Sequence, residues 1–308
     1  SKESRPQPIV QMGLFIDNDA VPIGIMPFPG NKVDKSTMIM ATKEVIRPMG
    51  YERYIYWGVL GLDVSFRKTD GYGDPLAGAA FTLYTDSAGT TNLMSAASSD
   101  GTLRTSAEDV IPEGTVYFEK VPAGVYYMKE RKADGTSGAP DGYAENSNIY
   151  LVLVGDAALS DLTGVLENIT EDDIAAQTGT GENALHYAIF LIDPITGKAV
   201  ATPDIAAYGI MNASAVTQKV ILDKITDTRA TLPDAGFELL AYDRSVVEAS
   251  LASGTAGAFY IGRLPQGIYY VHETTVPGRN DDTTFWWTLT VSKTGAVTLT
   301  ESGTSEPE

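Results

Sequence analysis

The chain has 308 residues, of which 43% are hydrophobic and 20% are charged, a composition typical of two or three globular domains. Its net charge of −18 excludes nucleic acid as an expected partner, because a polyanion would be repelled. Cysteine is absent, which excludes disulfides and cysteine-based metal sites. No segment approaches the roughly 18 apolar residues that span a bilayer. The N-terminus lacks the apolar core of a signal peptide, so we expect any export signal and anchor to lie outside these residues.

The N-terminal segment, residues 1–57, differs in composition from the rest. Its first 50 residues carry a net charge of +1 and five of the eight methionines. Residues 1–40 are similar to a stretch of DDE-type insertion-sequence transposases on three motifs: Ser1-Lys-Glu-Ser-Arg-Pro6, Pro8-Ile-Val-Gln-Met-Gly-Leu14 and Pro27-Phe-Pro-Gly-Asn31. Neither Asp17 nor Asp19 matches a catalytic acid of that family, so we expect no transposase activity. We interpret the segment as a gene-fusion scar.

The remainder contains an internal repeat, which indicates a duplicated module. Leu76–Leu83 (LAGAAFTL) is repeated as Leu232–Leu239 (LPDAGFEL). Tyr117–Glu130 aligns without gaps on Tyr260–Glu273.

The repeated segments have the periodicity of β-strands. Val64–Lys68 and Val220–Lys224 alternate apolar and polar residues, as half-buried strands do. Short strands separated by Gly, Pro and Asp turns predict an all-β fold of two tandem immunoglobulin-like β-sandwiches. We place module one at 58–215 and module two at 216–308. A short helix is predicted within Asp161–Gln177, where Thr170-Glu-Asp-Asp provides a start signal.

Three polar residues of module one fall on the core face of their strands. Lys68, Glu130 and Asn212 each lie two residues after an apolar residue of the same predicted strand. Burial favours the uncharged forms of lysine and glutamate. A neutral lysine is a nucleophile, so Lys68 attacking the Asn212 carboxamide, with Glu130 as the proton shuttle, would form an isopeptide bond and release ammonia. This is self-modification in a single turnover, and no enzyme activity is expected.

Module two has Lys224 and Glu273 at the positions equivalent to Lys68 and Glu130. No Asn or Asp follows Asp282, so we interpret the pair as the remnant of such a site.

Residues 60–300 resemble the B-type repeat modules of Gram-positive collagen-binding adhesins and major pilins. The resemblance rests on Lys68-Thr-Asp, Leu76–Leu83, Val121–Glu130 and Ala139-Pro-Asp-Gly-Tyr143. It implies prealbumin-like sandwiches, a cell-surface or cell-wall location, and an intramolecular Lys–Asn isopeptide bond assisted by Glu. In that family the asparagine lies on the last strand, where Asn212 falls.

Residues 155–205 exceed what a family module needs, and we interpret them as an insertion. Their length leaves Asn148, Asn168 and Asn183 open as alternative acceptors.

The predicted function is that of a structural or adhesive surface protein, such as an adhesin or pilus stalk. The expected partners are other surface or pilus subunits and a host extracellular-matrix protein or glycan, with no membrane insertion and no cofactor. The alternative is a host-ligand-binding tip domain that uses sandwich loops or the 155–205 insertion.

The remaining candidate sites have ordinary structural interpretations. Asp70-Gly-Tyr-Gly-Asp74 has too few ligands for a calcium loop and is interpreted as a polar turn. His186 and His272 are isolated, so no metal site is expected. Trp286 and Trp287 are predicted to pack in the core or at its edge, with a ligand surface as the alternative.

Overall fold

The computed structural model describes residues 10–16, 22–29, 61–155, 166, 168–179, 185–201, 205–226, 228–278 and 285–307. The chain divides into two compact units, Ser1–Leu60 and Gly61–Glu308. In the first unit, strands β1 (Val10–Ile16) and β2 (Pro22–Pro29) pair antiparallel, with Val10 opposite Pro29. The remaining residues of the motifs predicted there lie outside the described residues.

Module one of the second unit consists mainly of β-strands. The strands are β3 (Leu62–Asp70), β4 (Ala80–Tyr84), β5 (Asn92–Ala97), β6 (Thr115–Val121), β7 (Gly124–Lys129), β8 (Ile149–Val154), β9 (Tyr187–Ile192), β10 (Ala199–Val200) and β11 (Ile210–Asn212). The helices are α1 (Glu171–Thr178) and α2 (Ile205–Tyr208).

These strands form two sheets around one core. The larger sheet has the order β10-β9-β8-β7-β4-β5, and the smaller one has the order β11-β3-β6. Alternate apolar residues of β3 and β6 point at those of the larger sheet; for example, the rings of Phe66 and Phe81 meet edge to face with centroids 5.0 Å apart. The predicted sandwich is confirmed.

Module two repeats this arrangement. Its strands are β12 (Thr217–Asp223), β13 (Gly236–Ala241), β14 (Val246–Ala252), β15 (Ala258–Pro265), β16 (Gly267–Thr275), β17 (Trp286–Val291) and β18 (Val297–Gly303). The sheet β14-β13-β16-β17-β18 has the same strand order as β5-β4-β7-β8-β9, and β12 pairs with β15 as β3 pairs with β6. The duplication seen in the sequence is therefore a duplication of topology.

The helix predicted within Asp161–Gln177 is present, and it begins at the predicted start signal. Thr170 caps α1 through a capping box with Asp173, so the helix starts at Glu171. Residues 161–165 lie outside the described residues.

Part of the predicted insertion proves to be sheet. The segment β9 pairs antiparallel with β8, from Tyr187 opposite Val154 to Leu191 opposite Tyr150. Its continuous apolar sequence follows from burial on both faces: Tyr187 and Ile189 face the sandwich core, whereas Ala188 and Phe190 pack outside with Leu166 and Ile169.

Candidate functional site

Lys68 lies near the end of β3, in phase with buried Val64 and Phe66. Its side chain has no solvent exposure. The Lys68 Nζ donates to Asn212 Oδ1 at 2.6 Å and to the Ile210 carbonyl oxygen at 2.9 Å. The lysine thus reaches the last strand of its own module, 144 residues away in sequence.

Asn212 reaches Lys68 because β11 runs parallel to β3. In this register Ile210 lies opposite Lys68 and Asn212 lies opposite Asp70. Ile210 is buried in the sandwich core, which orients Asn212, two residues later, toward the same side. Gly209, with φ +77°, makes the turn from α2 into β11.

Glu130 completes the cluster from the end of β7. Its side chain is fully buried, and Oε1 accepts from Asn212 Nδ2 at 2.7 Å. Oε2 accepts from the Asn146 backbone N–H, also at 2.7 Å. The Lys68 Nζ lies 4.0 Å from Glu130 Oε1, so the Asn212 carboxamide is held between the amine and the carboxyl group.

Burial shifts both titratable groups of this cluster toward their neutral forms. Desolvation lowers the pKa of Lys68 from 10.5 to about 7, although the nearby Glu130 charge opposes the shift. Desolvation also raises the pKa of Glu130, against the opposing effects of the Lys68 charge and of hydrogen bonds from Asn146 and Asn212. An amine and a carboxyl group that are both shifted toward their neutral forms, in contact with a carboxamide, are the groups that an amide exchange needs.

The structure brings together the three residues that the sequence singled out, and it leaves Asn148 and Asn168 on the surface, away from the buried Lys68. Asn148 is exposed and its backbone N–H donates to Asn146 Oδ1, whereas Asn168 is exposed beside α1. Asn183 lies outside the described residues.

Sequence reasoning missed Asn146. Besides its bond to Glu130, its Nδ2 donates to the Tyr150 hydroxyl at 2.9 Å and to the Met211 carbonyl oxygen at 3.2 Å. Asn146 therefore ties Glu130 to the backbone of β11. No periodic signal could identify it, because it lies in the loop before β8.

In module two, the lysine and the glutamate equivalent to Lys68 and Glu130 are in direct contact. The Lys224 Nζ lies 2.6 Å from Glu273 Oε1. The side chain of Lys224 is 19% exposed, whereas that of Glu273 is 1% exposed. The lysine also lies over the ring of Trp287, 5.3 Å from its centroid.

The other candidate residues have structural roles in this fold. Asp70 Oδ1 accepts from the backbone N–H groups of Tyr72 and Asp74, which makes 70–74 a closed turn. Trp286 is buried with its ring stacked on His272 at 4.0 Å, and Trp287 packs against the core of module two. In the ranges that the structure describes, no three His, Asp or Glu side chains are grouped as metal ligands would be.

Residues of the predicted insertion border a surface groove of about 600 Å³. Gln177 and Leu185 line it, together with Arg67, Asp109 and Tyr117. Among the described helices, none is long and apolar enough to span a membrane.

Solved structures that match this chain include a pilus adhesin fragment, a major pilin subunit and the TIE protein of Bacillus anthracis. A C-terminal fragment of the pilus adhesin SpaC from Lactobacillus rhamnosus GG is 17% identical over 79% of this chain and 87% of the fragment, with a TM-score of 0.26. The major pilin subunit BcpA of Bacillus cereus is 14% identical over 80% of this chain and 94% of its own, with a TM-score of 0.22. The Bacillus anthracis TIE protein is 15% identical over 90% of this chain, with a TM-score of 0.26, but the match spans 37% of its length. These TM-scores are too low to support any conclusion about function.

The family assignment rests on sequence. No curated protein sequence matches the chain. The transposase similarity of residues 1–40 receives no support, since the family match begins at residue 62. The model of the SpaA prealbumin-like fold domain matches residues 62–165 and 218–304, which together make up more than half of the chain. The chain therefore belongs to the SpaA prealbumin-like fold domain family.

Proposed function

We propose that this chain is part of a cell-surface adhesin or pilus whose module one is locked by an isopeptide bond between Lys68 and Asn212, with Glu130 as the proton shuttle. The observation that carries the proposal is the buried contact of these three side chains, at 2.6 Å between Lys68 and Asn212 and 2.7 Å between Asn212 and Glu130. Burying three polar side chains in a core destabilises the fold unless they hydrogen-bond to one another.

The chemistry follows from this arrangement. The neutral Lys68 amine attacks the side-chain carbonyl carbon of Asn212, while the Glu130 carboxyl group lies against the amide nitrogen that will leave. A C–N bond forms to lysine while the bond to the amide nitrogen breaks. Glu130 passes a proton from the lysine nitrogen to the leaving group, which departs as ammonia.

The bond would connect β3 with β11, the first and last strands of module one. Tension that enters through one strand and leaves through the other would then pass through a covalent bond rather than through the parallel ladder. Closing this loop also restricts the unfolded chain, which by analogy with a disulfide stabilises the module by at most about 5 kcal/mol. Both effects suit a stalk that bears load.

An intact mass measurement tests the bond. We expect the purified protein to be lighter than its sequence mass by one ammonia, and proteolysis to yield a peptide in which Lys68 is joined to Asn212. Glu130→Gln and Asn212→Ala should each show the full sequence mass. Asn148→Ala, a substitution outside the cluster, should keep the loss. A full mass for the unmodified sequence would contradict the proposal.

The resemblance to adhesin and pilin modules supports an extracellular, cell-wall-associated location. It also supports other surface subunits and a host matrix protein or glycan as partners. The alternative of a ligand-binding tip stays a prediction.

A further inference from the structure

The loop before β8 runs antiparallel to β11 and to the residues that follow β11. In this loop the Ala144 N–H donates to the Ala213 carbonyl oxygen at 2.8 Å. Hydrogen-bonded pairs recur at every second residue of an antiparallel ladder, so the register places Asn146 opposite Met211 as the next such pair. The ladder pattern therefore predicts that the Asn146 backbone N–H donates to the Met211 carbonyl oxygen.

The side chain of Asn146 makes this bond in place of its backbone. Its Nδ2 donates to the Met211 carbonyl oxygen at 3.2 Å and to the Tyr150 hydroxyl at 2.9 Å. Its Oδ1 accepts from the Asn148 backbone N–H at 3.0 Å. These bonds use both N–H groups and the oxygen of the carboxamide. They also fix its orientation, because a flipped amide would turn its oxygen toward the Met211 carbonyl oxygen.

This substitution frees the Asn146 backbone N–H, which points to Glu130 instead. Glu130 Oε2 accepts from it at 2.7 Å, so that Oε1 is left against Asn212 Nδ2. In a neutral carboxyl group the unprotonated oxygen is the better acceptor, so the bond from Asn146 favours the proton on Oε1. Oε1 lies beside the nitrogen that departs as ammonia. Glu130 can therefore give its proton to that nitrogen and regain one from the lysine nitrogen.

We propose that Asn146 is a positioning residue for the cross-link: its carboxamide replaces its own backbone in the ladder, and the released N–H orients the Glu130 carboxyl group toward Asn212. This role rests on the proposed reaction, and its effect on the reacting atoms passes through Glu130. Alanine has no side-chain donor for the Met211 carbonyl oxygen. In Asn146→Ala the backbone N–H should therefore return to the ladder and leave Glu130 Oε2 without this donor.

Refolding kinetics test the role in the reaction. Chain recovered unfolded from inclusion bodies in urea should carry its full mass, and dilution starts folding and the loss of ammonia. Mass spectra of samples quenched in acid give the rate of that loss. Asn146→Ala should form the cross-link about tenfold or more slowly than the unmodified chain, because the proton shuttle is misplaced. Equal rates would overturn the proposal.

Asn92→Ala is the matched control for the refolding experiment. The Asn92 Nδ2 also donates to a backbone carbonyl oxygen, that of Ala133 at 2.8 Å, but this bond lies on the exposed surface. The control loses the same kind of hydrogen bond and should form the cross-link as fast as the unmodified chain.

A second measurement uses the Lys68→Met chain, which has no nucleophile and cannot form the cross-link. Desolvation raises the pKa of Glu130, and the hydrogen bond from the Asn146 backbone opposes this rise. Adding Asn146→Ala should therefore raise the pKa of Glu130 further, since the charged form loses a donor. A substitution that only loosened the site would admit water and lower this pKa toward 4.5. Titration of the carboxyl carbon by NMR gives the sign, and an unchanged or lowered pKa would overturn the proposal.

The amide signal of residue 146 decides the case in which Asn146→Ala does not fold. In the Lys68→Met chain this signal should shift as Glu130 titrates, and a signal that does not respond would overturn the proposal. If the unmodified chain loses no ammonia, the isopeptide bond is refuted, whereas the two NMR titrations still show whether Asn146 holds Glu130.

Discussion

Lys68 and Lys224 occupy equivalent positions but experience different environments. β11 covers Lys68 and removes it from water, and this burial lowers its pKa to about 7. Lys224 stays partly exposed and keeps an ion pair with Glu273. The same residue type in the same strand phase is therefore a candidate nucleophile in one module and a paired cation in the other.

The pH dependence of stability should report the buried amine directly. Glu130→Gln should lack the cross-link, and it removes the charge that raises the pKa of Lys68, so the folded pKa stays at or below about 7. Between that value and 10.5, the unfolded chain binds a proton that the folded chain does not. The free energy of unfolding should therefore rise with pH across this window, by up to about 1.4 kcal/mol per pH unit.

Urea unfolding of Glu130→Gln at several pH values between about 7 and 10 measures this slope. The double variant Glu130→Gln with Lys68→Met is the control. All other groups titrate alike in the two proteins, so the double variant should lack only the part of the slope that Lys68 contributes. Equal slopes in the two proteins would show that Lys68 is not buried as a neutral amine.

At the scale of elements, the site depends on a strand of only three residues, Ile210–Asn212. A strand this short is positioned by its flanks: α2 precedes it, and the Gly209 N–H donates to the Ile205 carbonyl oxygen at 2.9 Å. A Cβ at Gly209 would lie 2.6 Å from the Arg67 carbonyl oxygen. The turn into β11 thus requires glycine for its positive φ and for space.

Gly209→Ala should therefore destabilise module one and reduce the cross-linked fraction. Gly197→Ala is the matched control, since Gly197 has φ +69° and a Cβ added there would meet nothing within 4 Å. A positive φ costs alanine about 1–2 kcal/mol at both positions, and overpacking adds about 1–3 kcal/mol at Gly209 alone. Denaturant midpoints measure the loss of stability, and intact masses measure the cross-linked fraction. If Gly209→Ala and Gly197→Ala lose the same stability and keep the same cross-linked fraction, the position of β11 does not depend on this turn.

At the scale of the whole molecule, the turn at 70–74 joins the two modules. The Tyr72 hydroxyl donates to the Val291 carbonyl oxygen at 2.6 Å, and the Ile268 N–H donates to the Gly71 carbonyl oxygen at 2.8 Å. The connecting residues 213–216 are held as well, since the Gln266 N–H donates to the Val216 carbonyl oxygen at 3.0 Å. Relative motion is the usual expectation for tandem domains, and these bonds oppose it.

Limited proteolysis should show this restraint. We expect cleavage within 213–216 to be slow in the unmodified protein and faster in Tyr72→Ala, which loses the contact with module two. Tyr260→Ala removes a tyrosine that is 57% exposed and should leave the cleavage rate unchanged. Cleavage of the unmodified protein as fast as that of Tyr72→Ala would mean that the turn does not restrain the junction.

The sequence by itself determined the local properties of this protein. Alternation placed Lys68, Glu130 and Asn212 on the core faces of their strands, because side-chain direction in a strand depends only on residue parity. The repeat likewise predicted two copies of one sandwich, since duplicated sequences fold to the same topology. The helix was predicted from its cap, whose hydrogen bonds link residues three apart.

The tertiary structure decided what depends on contacts between residues distant in sequence. Parity could not show which asparagine lies beside Lys68; the parallel register of β11 on β3 places Asn212 there, across a separation of 144 residues. The apolar run at Tyr187–Ile192 was assigned to an insertion because a strand buried on both faces has no alternation to reveal it. The role of the turn at 70–74 as a junction has the same origin, because it depends on which surfaces of the two modules meet, and no local pattern encodes that.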